Sequence, residues 1–194
     1  MSEFTRIGDK YLLDLTVDEA HILINLVEQL LELLGIADIS HHYDESDPFA
    51  QLMHQLKPAP DEVATPEDPV LLRLLPNAYA DPESAADFRR FTEPAMRSKK
   101  NLTLRKAREA LAVIVDSNNP GTIENIDSNT WLAVINDLRI ALSVRLEISE
   151  SSFQKFEALP ESDPQKPLYA VYFWLGWLQS NLLDVMLNEG DAGQ

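Results

Sequence analysis

TVDEAHILINLVEQLLELLG, residues 16–35, decides the fold. Thr16-Val17-Asp18-Glu19 has capping-box spacing, with the Thr16 side chain placed to accept from the backbone N–H of Glu19. Ala20, Leu23, Val27, Leu30, Leu31 and Leu34 then recur at helical intervals, and Gly35 supplies the C-terminal stop. A long helix with one apolar face needs other elements to bury that face.

Upstream, EFTRI and KYLLDL flank the turn Gly8-Asp9, and Tyr11, Leu13 and Leu15 alternate onto one face, which predicts a β-hairpin over 3–15. Downstream, residues 36–69 change character. Pro48, Pro58, Pro60, Pro66 and Pro69 punctuate an acidic connection in which only DPFAQLMHQL reads as helical. Asp47-Pro48, Asp68-Pro69 and Asp81-Pro82 each set a capping side chain before a proline at the first helical position, marking three helix starts. The helix begun at Asp81 runs to about Thr92, where Pro94 either opens a new helix or kinks a continuing one, ending near Asp116. Asn118-Asn119-Pro120-Gly121 is a turn by composition. Ser128 can cap a helix carrying Trp131, Ile135, Leu138, Leu142 and Leu146, and a last helix is expected from about Pro167 to Asn188. Residues 190–194 read as a flexible tail. No internal repeat and no alternation of strands with helices occurs, so the expected class is mainly α: a helical bundle or orthogonal helix array with a short N-terminal β-hairpin, one domain over 1–194 with its helical core at 70–189.

Composition excludes several functions. There is no Cys, hence no disulfide, thiolate metal site or thiol nucleophile. No stretch reaches the 18 or more apolar residues of a membrane span and the N-terminus has no signal-peptide pattern, so a cytoplasmic protein without membrane contact is expected. No Gly-rich phosphate loop, HExxH or GxSxG is present, which argues against an enzyme and against a cofactor. His41, His42, Asp44, Glu45 and Asp47 lie close together in HHYDESD, with His54 not far along the chain, but a solvated acidic loop explains them better than a metal site.

The charge distribution is the exception. The net charge is −16, yet DFRRFTEPAMRSKKNLTLRKARE, residues 87–109, holds eight of the sixteen Lys and Arg against three acids, a local net of +5 that leaves −21 on the rest. On a helical wheel Met96, Leu104, Ala107, Leu111 and Ile114 share the inward face. Arg97, Asn101, Arg105 and Arg108 form a ridge on its flank, Lys99 and Lys106 lie on the outer side, and Arg89 and Arg90 extend the patch from the preceding helix. Three readings compete. The patch neutralises the protein's own acids, for residues 38–68 carry eight carboxylates against one Lys; or it meets an acidic protein surface, with Phe88 and Phe91 as apolar anchors; or its Arg rows follow the phosphates of DNA. A second surface is offered by LYAVYFWLGWL, residues 168–178. Leu168, Val171, Tyr172, Leu175 and Leu178 suit a buried stripe, and Tyr169, Phe173, Trp174 and Trp177 point elsewhere. That helix is expected to be central in the bundle, with a homodimer contact as the alternative.

RLLPNAYADPESAADFRRFTE at 73–93, WLAVINDLRIALSVRL at 131–146 and LGWLQSNLLDVML at 175–187 together resemble an actinobacterial family catalogued as a domain of unknown function, whose named representative is the oxidative stress transcriptional regulator AosR. The similarity covers nearly the whole chain; the matching residues include Arg89, Arg90, Glu93, Trp131, Asn136, Asp137, Arg139, Trp174 and Trp177. The resemblance implies a non-enzymatic regulator of transcription under oxidative stress, in contact with DNA or with transcription machinery such as a sigma factor. Thiol oxidation is the sensing chemistry such a regulator implies, and this chain departs from it by having no Cys. Asn136, Asp137 and Arg139, on an otherwise apolar helix, read as internal hydrogen-bonding and salt-bridge groups rather than catalysts.

Overall fold

A computed structural model describes residues 2–35 and 63–187. The order is β1 (Glu3–Ile7), β2 (Lys10–Leu15), α1 (Val17–Leu34), α2 (Pro69–Leu74), α3 (Pro82–Ser117), β3 (Gly121–Ile126), α4 (Ser128–Arg145), α5 (Ser152–Ala158) and α6 (Lys166–Leu187). The fold is mainly α. The hairpin is present, with Phe4 opposite Leu13 and Gly8 at φ +60 in the turn, where a residue without Cβ is favoured. The predicted helix DPFAQLMHQL, the start at Asp47-Pro48, the HHYDESD cluster and the C-terminal tail lie outside the described residues.

Local chemistry explains the helix starts. Glu19 N–H donates to Thr16 Oγ1 at 3.3 Å and Thr16 N–H to the Glu19 carboxylate at 2.8 Å, a complete capping box. Asp68 caps α2 by accepting from Val70 N–H at 2.7 Å, and Asp81 caps α3 by accepting from Ser84 N–H at 2.8 Å, each with proline at the first helical position. The cap of α4 is Asp127 rather than Ser128, which is the first helical residue; the Asp127 carboxylate accepts from Asn129 N–H at 3.2 Å.

One element departs from the sequence reading: GTIENI forms a third strand, antiparallel to β2, giving the order β1-β2-β3. At Pro94, of the two alternatives, the continuing helix is the one observed: α3 runs over 36 residues, about 54 Å at 1.5 Å per residue. An internal proline forfeits one backbone hydrogen bond and crowds the carbonyl one turn back, at a cost of about 3 kcal/mol. Glu93, beside it, is gripped by Arg89 from the turn before and by Arg97 from the turn after, and these pairs span the weak point.

Leu104, Ala107, Leu111 and Ile114 of α3 are buried, as are Ala20, Leu23, Val27, Leu30 and Leu34 of α1, and the two helices pack along each other. Met96, expected inward, is 37% exposed, because this part of α3 has run past the end of α1 and turns Arg89, Glu93 and Asn101 inward instead. The sheet contributes Phe4, Leu13, Leu15 and Ile126, with Phe4 edge-on to Trp131 at 6.2 Å. The central helix is α4, which packs on α1, α2, α3 and α6. The last helix, expected at the centre, packs on α4, β1 and α5 and leaves Trp177, Leu183 and Leu187 exposed. Leu168 is exposed and Tyr169 fully buried, the reverse of expectation, since the Tyr169 hydroxyl donates to Leu146 C=O at 3.2 Å and its ring packs against Phe156.

Candidate interaction surface

The basic segment divides into cations that hold the protein together and cations left for something else. Arg89 is 4% exposed, which corrects its expected place on the surface. Its guanidinium donates to the carboxylate of Glu93, to Asn77 Oδ1 and, at 3.3 Å, to Leu75 C=O, so it binds the connector between α2 and α3 to the long helix. The other Glu93 oxygen accepts from Arg97 Nε at 2.7 Å, and Arg97 Nη1 donates to Leu34 C=O at 2.8 Å. That carbonyl belongs to the last turn of α1, where the helix dipole favours a cation. Lys100 donates to both oxygens of Asp137 at 2.8 and 2.9 Å. Burial raises the Asp137 carboxyl above its ordinary 3.8, against the lowering effect of Lys100. Arg108 pairs with Glu28 of α1 at 2.8 Å, both side chains about half exposed. The ridge expected from Arg97, Asn101, Arg105 and Arg108 is therefore largely the seam with α1: Arg97 and Arg108 reach α1, and Asn101 is buried and donates to Arg97 C=O at 3.1 Å.

Lys99, Arg105 and Lys106 are exposed and have no carboxylate oxygen within 4 Å among the described residues. They share the outward side of α3 with aromatic rings. Phe88 is 39% exposed, Phe91 62% and Tyr79, from the preceding connector, 53%. Tyr79 and Phe88 meet edge to face at 5.7 Å, and the Arg90 guanidinium lies over Phe91 at 4.7 Å. Phe88, Phe91, Ala95, Lys99, Leu102 and Lys106 succeed one another at intervals of three or four residues, so they form one stripe about 27 Å long on a single helix. Its first turns are apolar and its later ones cationic.

Of the other sequence candidates Asp137 and Arg139 make the internal contacts expected of them, whereas Asn136 is exposed, which corrects its expected internal place, because it lies on the solvent side of α4. Arg139 donates to Gln179 and lies over Tyr172 at 5.2 Å, and Gln179 donates to Asn136 at 3.5 Å. A Cβ on Gly176 would sit 3.4 Å from the Arg139 guanidinium, so the small residue there lets Arg139 cross α6. Trp174 Nε1 donates to Ser2 at 2.9 Å. A groove of about 470 Å³ between α1, α2 and α4, floored by Leu30, Val70, Leu138 and Leu142, has the ion pair Arg145–Asp68 beside it. Among the described residues no group of three His, Asp or Glu is arranged to hold a metal ion, and no helix is long and apolar enough to cross a membrane.

Fold and surface together define a mainly α protein with a mixed aromatic and basic helical stripe. The chain belongs to the family described as "Domain of unknown function (DUF2017)", which matches it over residues 1–186. It is 31% identical over 199 residues to the "Oxidative stress regulator AosR" of Mycobacterium tuberculosis (strain ATCC 25618 / H37Rv), covering 95% of this chain and 86% of that protein. A Mycobacterium bovis protein of the same name is similar to the same extent. These names support a regulatory role. No solved structure matches the chain significantly.

Proposed function

We propose that the protein is a non-enzymatic regulator of the oxidative stress response that binds an acidic protein surface through the outward stripe of α3. The observation carrying this reading is the exposure of Phe88, Phe91 and Tyr79 beside Lys99, Arg105 and Lys106, cations with no carboxylate partner among the described residues. Apolar anchors ringed by charge are the anatomy of a protein interface. A phosphate-tracking surface needs rows of free cations, and Arg89, Arg97 and Arg108 are drawn instead to Glu93, Leu34 C=O and Glu28. Protein contact therefore fits better than DNA contact. The resemblance suggests transcription machinery as the class of partner, the cytoplasm as its place and 1–194 as a single folding unit. The alternative of an acidic scaffold without a nucleic-acid role differs only in what the bound partner does.

Photocrosslinking tests the surface directly. A benzophenone side chain at position 91 or 99 should capture one acidic protein from the source cells, and the same group at the exposed Glu157 of α5 should not. Capture should weaken with added salt, because exposed charges are screened beyond about 8 Å at physiological ionic strength. Equal crosslinking from all three positions, or nucleic acid as the dominant adduct, would refute the reading.

A further inference from the structure

A chain without Cys needs another route to respond to oxidant, and the next most oxidisable side chain is Met. Of the four methionines, Met96 and Met186 fall among the described residues. Met186 is half-buried in the core edge, whereas Met96 is 37% exposed. Met96 also stands at a joint. It lines a narrow crevice with Leu75, Asn77, Phe88, Arg89 and Glu93, where the connector before α3 meets the first turns of that helix. Those first turns, Pro82–Phe91, bury only Ala85 and Arg89, so they are held mainly by the Arg89 network and by packing in this crevice. They also carry Phe88 and Phe91.

We propose that Met96 is a modification site: peroxide oxidises its thioether to the sulfoxide, and the sulfoxide loosens the Pro82–Phe91 segment from the connector. The step balances. The sulfur takes one oxygen from the peroxide and is oxidised by two electrons, while the peroxide is reduced by two and leaves as water or alcohol. A flexible apolar group becomes a polar one in a crevice walled by Leu75 and Phe88, and its new acceptor oxygen competes with Asn77 Oδ1 for the Arg89 donors that close the joint. This rests on reading the chain as a regulator of the oxidative stress response, and it supplies that regulator with a trigger acting on its own binding stripe.

The test uses the full-length protein, hydrogen peroxide and trypsin. Peptide mass mapping should show Met96 gaining one oxygen before Met186 does. Cleavage after Arg89 and Arg90, which requires this segment to open, should then accelerate at least about threefold in the oxidised protein, since proteolysis tracks the open population. M96L, which keeps the volume and removes the oxidisable sulfur, should fold with an unchanged circular dichroism spectrum and lose that acceleration; M96Q should show faster cleavage without peroxide. Methionine sulfoxide reductase should reverse the effect in the natural sequence. Met96 staying reduced while Met186 oxidises would overturn the proposal, as would equal acceleration in M96L. Neither readout involves a partner, so absence of a captured protein would refute the proposed function and leave this result standing.

Discussion

Truncating Glu93 should destabilise the protein more than removing any exposed charge of α3. The side chains of Arg89 and Glu93 are each 4% exposed and Arg97 is 24% exposed, so one carboxylate neutralises a buried guanidinium and a half-buried one. In Glu93→Ala the Arg89 charge stays buried with only neutral acceptors, Asn77 and Leu75 C=O. Breaking a buried pair from one side costs about 3–5 kcal/mol. Arg97 can turn toward water and keep Leu34 C=O, so its share adds no more than about 0.5 kcal/mol. At about 2–4 °C per kcal/mol for a chain of this size, Tm should fall by about 6–20 °C. Urea unfolding followed by Trp fluorescence measures the free energy, and calorimetry the Tm. Arg89→Met with Glu93→Leu, which removes both charges and keeps apolar bulk, should stay within about 2 kcal/mol of the natural protein. A loss below about 1 kcal/mol in Glu93→Ala, or a double variant as unstable as the single one, would refute a buried ionic clasp across Pro94.

Three further outcomes follow from local geometry. Glu147 holds φ +51 one residue beyond the cap of α4, in a Schellman turn closed by Ile148 N–H to Ser143 C=O at 2.9 Å, so Glu147→Gly should stabilise by about 1 kcal/mol in thermal melts. Lys100→Met strands the Asp137 carboxylate and should cost about 3 kcal/mol or more in urea midpoints, whereas Asp137→Asn should cost less, since Lys100 reaches solvent. Burial holds the Asp137 carboxyl above 3.8, so the folded state binds its proton more tightly; its contribution to stability falls as pH rises from 3.8 through the raised value, and Asp137→Asn should remove that slope. Glu19 behaves oppositely: burial works to raise its pKa, but hydrogen bonds from Thr16 outweigh this and hold it below 4.5, so its contribution is present above 4.5 and is lost as pH falls through the lowered value. Thr16→Ala should cost about 1 kcal/mol at neutral pH and less in acid, as read from melts at both pH values.

The helix starts were legible because each is written in two to four adjacent residues: Thr16 with Glu19, Asp68 with Pro69, Asp81 with Pro82. Features depending on distant partners were not. GTIENI has a polar, half-exposed pattern and becomes a strand because β2 offers a free edge. Pro94 leaves a new helix and a continuing one both open in the sequence, and the pairing of Glu93 on both sides shows why the helix continues. The basic segment was visible as composition, but which cations are spent inside the protein depends on where α1 ends and where Asp137 and Glu28 face. Phe88 and Phe91 could not be told from core residues by spacing alone; their exposure separates them.

The most direct test of the binding stripe is isothermal titration of the purified crosslinked partner against Phe88→Ser with Phe91→Ser, and separately against Lys99, Arg105 and Lys106 all changed to Ala. The cation set lies on exposed positions and should leave Tm unchanged, whereas Phe88→Ser also gives up its contact with Tyr79 and should lower Tm modestly while the protein stays folded. The aromatic pair should weaken Kd by about 100-fold, as loss of anchors totalling about 3 kcal/mol requires, and the cation variant should weaken it mainly at low salt. An unchanged Kd in both, with both proteins folded, would contradict the assignment of this helix face.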